Sequence, residues 1–321
     1  MPSAGSPLRR TAAEQRAAAA APGAAAGIDI GGSKTDGVLL DGDGRELASV
    51  RLTTRRGDDG VVGTTVEALD ALAERSGRGI ASFGRIGIGV PGQVERSAGV
   101  VRHAYNIGVE QLALGPVIAS RTGLPVSLDN DVTAAAIGAA HLMGLGGTVA
   151  YLNLGTGLSA GIVVDGRPLR GSHGFAGEIG HLPISPLGRP CPCGQIGCLE
   201  TAASGSALLA WWPAGGPHPG RTLLPAVEAG DAEARAAFDH LVEGAASAVR
   251  LLALTIDPGA IVLGGGLRLL GAPLTDGISR TLDGWTARSP FLAALGLRER
   301  LRVLPEGSPV AVVGAALASH V

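Results

Sequence analysis

The chain has 321 residues, a formal net charge of −2 at pH 7 and 45% hydrophobic residues. That charge argues against a dedicated nucleic-acid binder, and that hydrophobic content argues against global disorder. Three cysteines, all between positions 191 and 198, cannot staple a secreted disulfide scaffold. The 52 glycines show no three-residue period, which excludes collagen. Of 26 basic residues the single lysine is Lys34, inside a glycine-rich stretch.

Residues 1–24 are rich in Ala, Pro and Ser and read as a disordered tail. Arg9-Arg10 is followed by Glu14 and Arg16 rather than by a firm apolar run, so no export signal is expected. No window holds 18 strongly apolar residues, so no membrane span is expected and a cytoplasmic location is. Ala25 to Ile30 reads as a buried strand that ends in a glycine turn. Val38-Leu39-Leu40 follows as a second strand. Asp41-Gly42-Asp43-Gly44 is a hairpin signal, and Leu47 to Leu52 is the third strand. Val61 to Arg75 carries apolar residues at helical spacing, and Ile86 to Val90 is a strand stopped by Pro91-Gly92. A short strand at Val126 leads into Asp129-Asn130-Asp131, after which Ala134-Ala135-Ala136 opens a helix. Thr148 to Leu154 runs into Gly155-Thr156-Gly157, with Leu158 to Val164 as its hairpin partner. Trp211-Trp212, before Pro213, should pack at a helix end or a subunit contact. Ala234 to Thr255 reads as a one-stripe helix, Ala260 to Leu263 as a strand entering Gly264-Gly265-Gly266, and Val310 to Ser319 as an Ala-rich helix. Strand, glycine loop and strand recur near 27–40 and 149–164, which predicts a duplicated α/β core with a cleft between its halves.

Three strand-end glycine loops suggest a nucleotide held from several sides, because glycine lets backbone N–H groups surround phosphate oxygens. The first, Gly31-Gly32-Ser33-Lys34-Thr35, is not a P-loop: Ser33 separates Gly from Lys, and a strand follows. Asp29, just before it, either holds Mg²⁺ near the phosphates or caps the turn. Asp131 is placed to take a proton from a substrate hydroxyl, while Asp129, Asn130 or Asp131 is also a natural helix N-cap. His181 with Cys191, Cys193 and Cys198 forms a Cys₃His set suited to tetrahedral Zn²⁺. Four protein ligands close the shell, so the zinc is expected to be structural. Glu178 and Glu200 bracket this loop, and each carboxylate can accept two hydroxyl hydrogen bonds, as a sugar would offer, or be a surface acid.

From about residue 25 to its end the chain resembles the ROK family of bacterial sugar kinases and sugar-responsive repressors, within the actin/hexokinase ATPase superfamily. The resemblance rests on Asp29-Ile30-Gly31-Gly32-Ser33-Lys34-Thr35, Leu154-Gly155-Thr156-Gly157, Leu263-Gly264-Gly265-Gly266, and Ala176-Gly177-Glu178-Ile179-Gly180-His181 with its cysteine loop. It implies a two-domain, actin-like (ribonuclease H-like) α/β fold with an interdomain cleft and a zinc-binding loop. Residues 25–130 with 310–321 would form the small domain, and residues 131–309 the large one with zinc loop 181–198. It implies ATP, Mg²⁺ and structural Zn²⁺, and phosphorylation of a hexose at its 6-hydroxyl, glucose first. N-acetylglucosamine, N-acetylmannosamine and mannose are alternative acceptors, polyphosphate an alternative donor, and a non-catalytic sugar sensor an alternative of another class. By resemblance Asp131 is the base; Asn130, Asn106, Gly92, Glu178, His181 and Glu200 meet the sugar; and the loops with Gly31, Gly155, Thr156, Gly157, Gly264, Gly265 and Gly266 meet ATP. The family also implies a homodimer or homotetramer. Its repressor branch carries an upstream helix-turn-helix of several dozen residues, which the Ala-rich tail does not match, so no nucleic-acid partner is expected. Val132-Thr133 stands where Ala-Asn is frequent, and the Trp usual a few residues after Asn106 is absent, with Val109 and Glu110 there instead; both departures bear on the choice of sugar.

Overall fold

The computed structural model describes residues 23–186 and 188–318. The expected disordered tail lies almost wholly outside the described residues; Ala24, its last residue, is already in a strand. The first half comprises β1 (Ala24–Ile30), β2 (Lys34–Leu40), β3 (Glu46–Thr53), α1 (Asp58–Ser76) and β4 (Phe83–Val90). A small three-stranded sheet follows, β5 (Gln93–Glu95), β6 (Val100–Ala104) and β7 (Val109–Leu112). Then come α2 (Leu114–Thr122), β8 (Val126–Asn130) and α3 (Asp131–Leu142). The second half holds β9 (Thr148–Leu154), β10 (Leu158–Val164), β11 (Arg167–Pro168), α4 (Gly205–Trp211), α5 (Pro219–Glu228), α6 (Ala232–Thr255) and β12 (Ala260–Gly264). It continues through α7 (Ala272–Thr286), α8 (Pro290–Ala294), α9 (Leu297–Arg300) and β13 (Leu301–Val303), and α10 (Val310–Ala318) ends the described chain.

The core is duplicated, as the recurring loops predicted. One sheet has the order β3-β2-β1-β4-β8 and the other β11-β10-β9-β12-β13, the same topology. In each, the middle strand pairs antiparallel with its hairpin partner and parallel with the next strand, β4 or β12. The second strand begins at Lys34 rather than at Val38, because polar Lys34, Thr35 and Asp36 still pair in register with Thr53, Leu52 and Arg51. Apolar periodicity alone could not see those residues as strand.

Both middle strands are buried on both faces, which explains their near-continuous apolar runs. On β1, Ala26, Ile28 and Ile30 pack with Leu69 and Leu72 of α1, while Ala25 packs with Val312 and Ala316 of α10. On β9, Ala150, Leu152 and Leu154 pack with Leu241, Val249 and Leu252 of α6, while Val149 and Tyr151 pack with Ala136 and Ala140 of α3. Helices α3 and α10 therefore lie between the two sheets and against each other. Glycine makes that approach possible: a Cβ on Gly27 or Gly87 would collide with the α10 backbone, and one on Gly314 with the α3 backbone at Ala134. Part of the glycine excess is thus a packing requirement, which composition could not distinguish from bias. Trp211 ends α4, donates from its indole N–H to the Thr201 carbonyl at 2.9 Å and stacks on His240. Trp212 is buried and bonds Asp231 at 3.0 Å. Both pack at a helix end.

Candidate active site

The β8–α3 junction carries the central acids. Asn130 is the N-cap: its Oδ1 accepts from Val132 N at 2.9 Å and Thr133 N at 3.3 Å, and its Nδ2 donates to the Gly92 carbonyl at 3.4 Å. Asn130 thereby takes the capping role that the sequence left open among three residues, and Asp131 becomes the first helical residue. Asp131 Oδ1 accepts from Val132 N at 3.0 Å. Burial outweighs that bond and holds the Asp131 carboxyl above its ordinary range.

Asp29 stands on β1, in register with Asp36 across the hairpin. Burial, then Asp131, then Asp36 push its pKa up to about 8. Gly31 N donates to the Lys34 carbonyl at 2.8 Å and closes the first loop, in which Gly32, Ser33 and Lys34 are exposed. Gly32 faces Asn106: a Cβ there would lie 3.6 Å from the Asn106 carbonyl oxygen and 3.7 Å from its Nδ2. Thr35, expected at the phosphate loop, presents no exposed side chain. Its side chain is fully buried, with its hydroxyl 2.9 Å from that of Thr54, which donates to the Gly31 carbonyl at 2.8 Å. Thr35 braces the loop from behind.

The second and third loops touch each other. Gly265 adopts φ 77° with its backbone against that of Leu154, an approach closed to any side chain. The Gly155 and Thr156 carbonyls accept from Gly205 N at 2.8 Å and Ser206 N at 3.0 Å, which fixes the second loop to the start of α4. Gly264 is buried at the end of β12 beneath the Tyr151 ring. Gly266 has open space where a side chain would stand. Two neighbours were not foreseen: the Tyr151 hydroxyl, which accepts from Gly265 N at 3.3 Å, and Arg268, whose Nη1 donates to the Gly265 carbonyl at 2.9 Å.

A cavity of about 820 Å³ opens beside the β8–α3 junction. Gly92, Asn130, Glu178 and His181 line it together; Asn106, Asp131 and Glu200 lie outside that lining. Glu200 Oε2 accepts from Leu158 N at 2.9 Å and faces Gly157 of the second loop. Glu178 is open to the cavity, yet the surrounding protein raises its pKa; the His181 ring opposes that rise, while Glu200 and Asp131 add to it. The acids of the cleft therefore feel one another, and their field suits hydroxyl donors and cations.

Sequence reasoning missed a further cluster. Asp129 is buried at the end of β8, and Arg170 grips it with Nε 3.2 Å from both carboxylate oxygens and Nη2 2.5 Å from Oδ2. Arg96 Nε lies 3.8 Å from the same carboxylate and donates to the Leu128 carbonyl at 3.2 Å. The triplet Asp-Asn-Asp advertised capping, and nothing local tied Asp129 to an arginine 41 residues away.

The ligating atoms of His181, Cys191, Cys193 and Cys198 all lie within 4.8 Å of one another. A tetrahedron with Zn–S of about 2.3 Å has ligand edges of roughly 3.8 Å. Cys193 Sγ to Cys198 Sγ is 3.6 Å, and Cys191 Sγ to His181 Nδ1 is 3.8 Å, so this donor set fits zinc. Gln195 Nε2 donates to the His181 carbonyl at 2.9 Å and to Cys193 Sγ at 3.5 Å, steadying two ligands at once. With Nδ1 turned to the sulfurs, His181 keeps Nε2 for another partner.

The sequence pattern of the ROK family matches residues 25–316. A glucokinase of Halalkalibacterium halodurans is 30% identical over 309 residues, which span 90% of this chain and 92% of that protein. The crystal structure of a ROK hexokinase from Thermus thermophilus superposes with a TM-score of 0.77 at 33% identity, covering 92% of this chain and 98% of that one. A ROK family glucokinase from Streptomyces griseus, in complex with glucose and AMPPNP, superposes at 0.72 with 31% identity and covers 92% and 98%. Duplicated sheets, glycine loops and Cys₃His cluster are thus found in a chain that belongs to the ROK family.

Proposed function

We propose that this protein transfers the γ-phosphoryl group of ATP to the 6-hydroxyl of a hexose, with glucose as the first acceptor to try. The observation that supports this best is the gathering of Asp29, Asp131 and Glu178 beside glycine loops from both sheets: burial raises all three carboxyls above their ordinary values, and Asp131 adds to the rise at Asp29 and at Glu178. A raised carboxylate is a stronger base, which suits Asp131 to accept the hydroxyl proton as that oxygen attacks in line. Glu178, Glu200 and the Nε2 of His181 hold sugar hydroxyls, with Asn106, Asn130 and Gly92 at the same cleft. Gly31, Gly32, Ser33, Lys34, Gly155, Thr156, Gly157, Gly265 and Gly266 present backbone or side chain to the nucleotide. Mg²⁺ would neutralise phosphate charge, and Asp29 would hold it: its carboxyl, raised first by burial and then by Asp131 and Asp36, would be relieved by a cation. Zinc at His181, Cys191, Cys193 and Cys198 supplies no chemistry; it fixes the loop between Glu178 and Glu200. Closure of residues 25–130 with 310–321 against residues 131–309 excludes water as a rival acceptor. We also take the protein to be cytoplasmic and to assemble as a homodimer or homotetramer.

The test is a panel of hexoses with ATP, with and without Mg²⁺, read by ADP release. Hexose 6-phosphate formed only with Mg-ATP supports the reading. Sugar binding without ADP release on any member refutes phosphoryl transfer and leaves a sugar sensor. The open, 820 Å³ cavity favours one second reading, an N-acetylhexosamine as acceptor, which the same panel separates.

A further inference from the structure

We propose that Arg170 is a positioning residue, whose ion pair with Asp129 latches the loop that carries Glu178 onto the strand end that carries Asp131. This inference rests on the hexose-kinase reading for its kinetic consequence. The pair joins the two halves of the chain. Asp129 sits on β8 of the first sheet, in register with Gly89 of β4. Arg170 follows β11 at the edge of the second sheet. Their side chains are only 6% and 19% exposed.

The segment after Arg170 is tied down at both ends. Ala176 N donates to the Arg170 carbonyl at 3.2 Å, and Ala160 N of β10 donates to the Gly177 carbonyl at 2.8 Å. Glu178 N donates to the Phe175 carbonyl at 3.2 Å. Residues 171–178 therefore form a loop anchored on the second sheet at both ends, the near one through Leu169 N, which donates to the Ile162 carbonyl at 2.8 Å, and joined to the first sheet by the Arg170 guanidinium. Glu178 lies at its end and His181 just beyond it, both on the wall of the cavity. On the opposite side of the latch, Asp129 is followed directly by Asn130 and Asp131. Breaking the pair leaves the loop fixed to one half only, free to drift relative to the base.

The alternative is a pair that serves stability alone. A buried ion pair gains little net stability, because desolvation offsets most of its attraction. What such a pair secures is registry, and the meeting of Arg170 from the second half with Asp129 and Arg96 of the first matches that role. On the hexose-kinase reading the loop would hold sugar in ground and transition states alike, so its displacement would raise the sugar KM more than it lowers kcat.

Arg170→Ala and Asp129→Asn are to be compared with the wild-type chain in steady-state assays using Mg-ATP and the best hexose of the panel. Amide exchange over residues 171–178 is to be measured without ligand. The expected result is a hexose KM raised about tenfold, a loss of about 1.4 kcal/mol of sugar binding, with the ATP KM little changed. Exchange over 171–178 should quicken. A lower Tm with an unchanged hexose KM overturns the proposal, and so does unchanged exchange. If Arg170→Ala does not fold, Arg170→Lys, which keeps the charge but not the two-pronged grip, should raise the hexose KM roughly threefold; an unchanged KM then overturns the proposal. If the wild-type chain phosphorylates no hexose, the kinase reading fails by itself. The exchange rates then decide the latch, faster supporting it and unchanged overturning it.

Discussion

Gly314 and Gly284 are both helical glycines, and the structure assigns opposite outcomes to the same substitution. Gly→Ala in a helix interior gains about 1 kcal/mol from propensity alone. Gly284 on α7 is exposed, and a Cβ there meets nothing within 4 Å, so Gly284→Ala should realise most of that gain. At Gly314 on α10 a Cβ would lie 2.6 Å from the Ala134 carbonyl carbon and 2.7 Å from the Gly138 nitrogen, and closer still to the Ala134 oxygen. All three are α3 backbone atoms, which cannot rotate away as a side-chain tip can. The two helices must separate, and overpacking of this kind costs about 1–3 kcal/mol and occasionally more. Because α10 is held against β1 and β4 by the same close contacts, the upper part of that range applies, and it exceeds the propensity gain. The net expectation for Gly314→Ala is a loss of roughly 2 kcal/mol, a fall in Tm of about 3 °C at an unfolding entropy of about 2.1 cal/mol/K per residue over 321 residues. Calorimetry of both variants beside the wild type measures this, with urea midpoints as a second reading. A Gly314→Ala protein as stable as Gly284→Ala would refute the argument that the α3–α10 contact requires glycine.

Asp131→Asn should lower kcat by about 10² to 10⁴ with little change in sugar binding, and a wild-type rate would remove Asp131 as the base. The same residue carries a pH dependence. Because burial raises its folded-state pKa above 3.8, the native state holds that proton where the unfolded chain has released it. Its stabilising contribution is therefore complete below 3.8 and is lost as pH rises through the raised value. Asp131→Asn should gain stability relative to wild type as pH rises from 4 to 8, and a constant difference in Tm would contradict this. Since only the ionised carboxylate accepts a proton, the acid limb of wild-type kcat/KM should lie above the ordinary Asp range. Metal analysis should return one zinc per chain, bound at His181, Cys191, Cys193 and Cys198. A chain that stays folded and active after chelation, with no metal detected, would rule out a structural zinc.

Much of this was legible from local pattern. The glycine that ends β1, the hairpin turn at Asp41-Gly44 and the repeat of that unit at Leu154-Gly157 gave the duplicated core, because turns and strand period are encoded within a few residues. The Cys₃His spacing was equally readable, since a metal confines its ligands to a short loop. Other features lay beyond it. The polar start of β2 was missed because backbone pairing with β3, not apolar alternation, makes it strand. Thr35 and Gly264 read as phosphate contacts because they sit in loop motifs, whereas the packing of the Thr35 side chain on Thr54 and of the Tyr151 ring on Gly264 was not visible there.

The sequence by itself therefore determined the strands and glycine loops of the duplicated core and the residue types they offer: glycines suited to phosphate, a Cys₃His set suited to zinc and acids suited to a proton. Only the tertiary structure decided how the 52 glycines divide between freedom and close packing, and which nitrogen of His181 meets the sulfurs. It also decided that Asp129 meets an arginine from the other half and that Asn130, not Asp131, caps α3. The physical reason is separation along the chain. A turn or a ligand loop is a relation among neighbours, whereas a helix packed backbone to backbone, or an ion pair spanning 41 residues, exists only once distant surfaces have met.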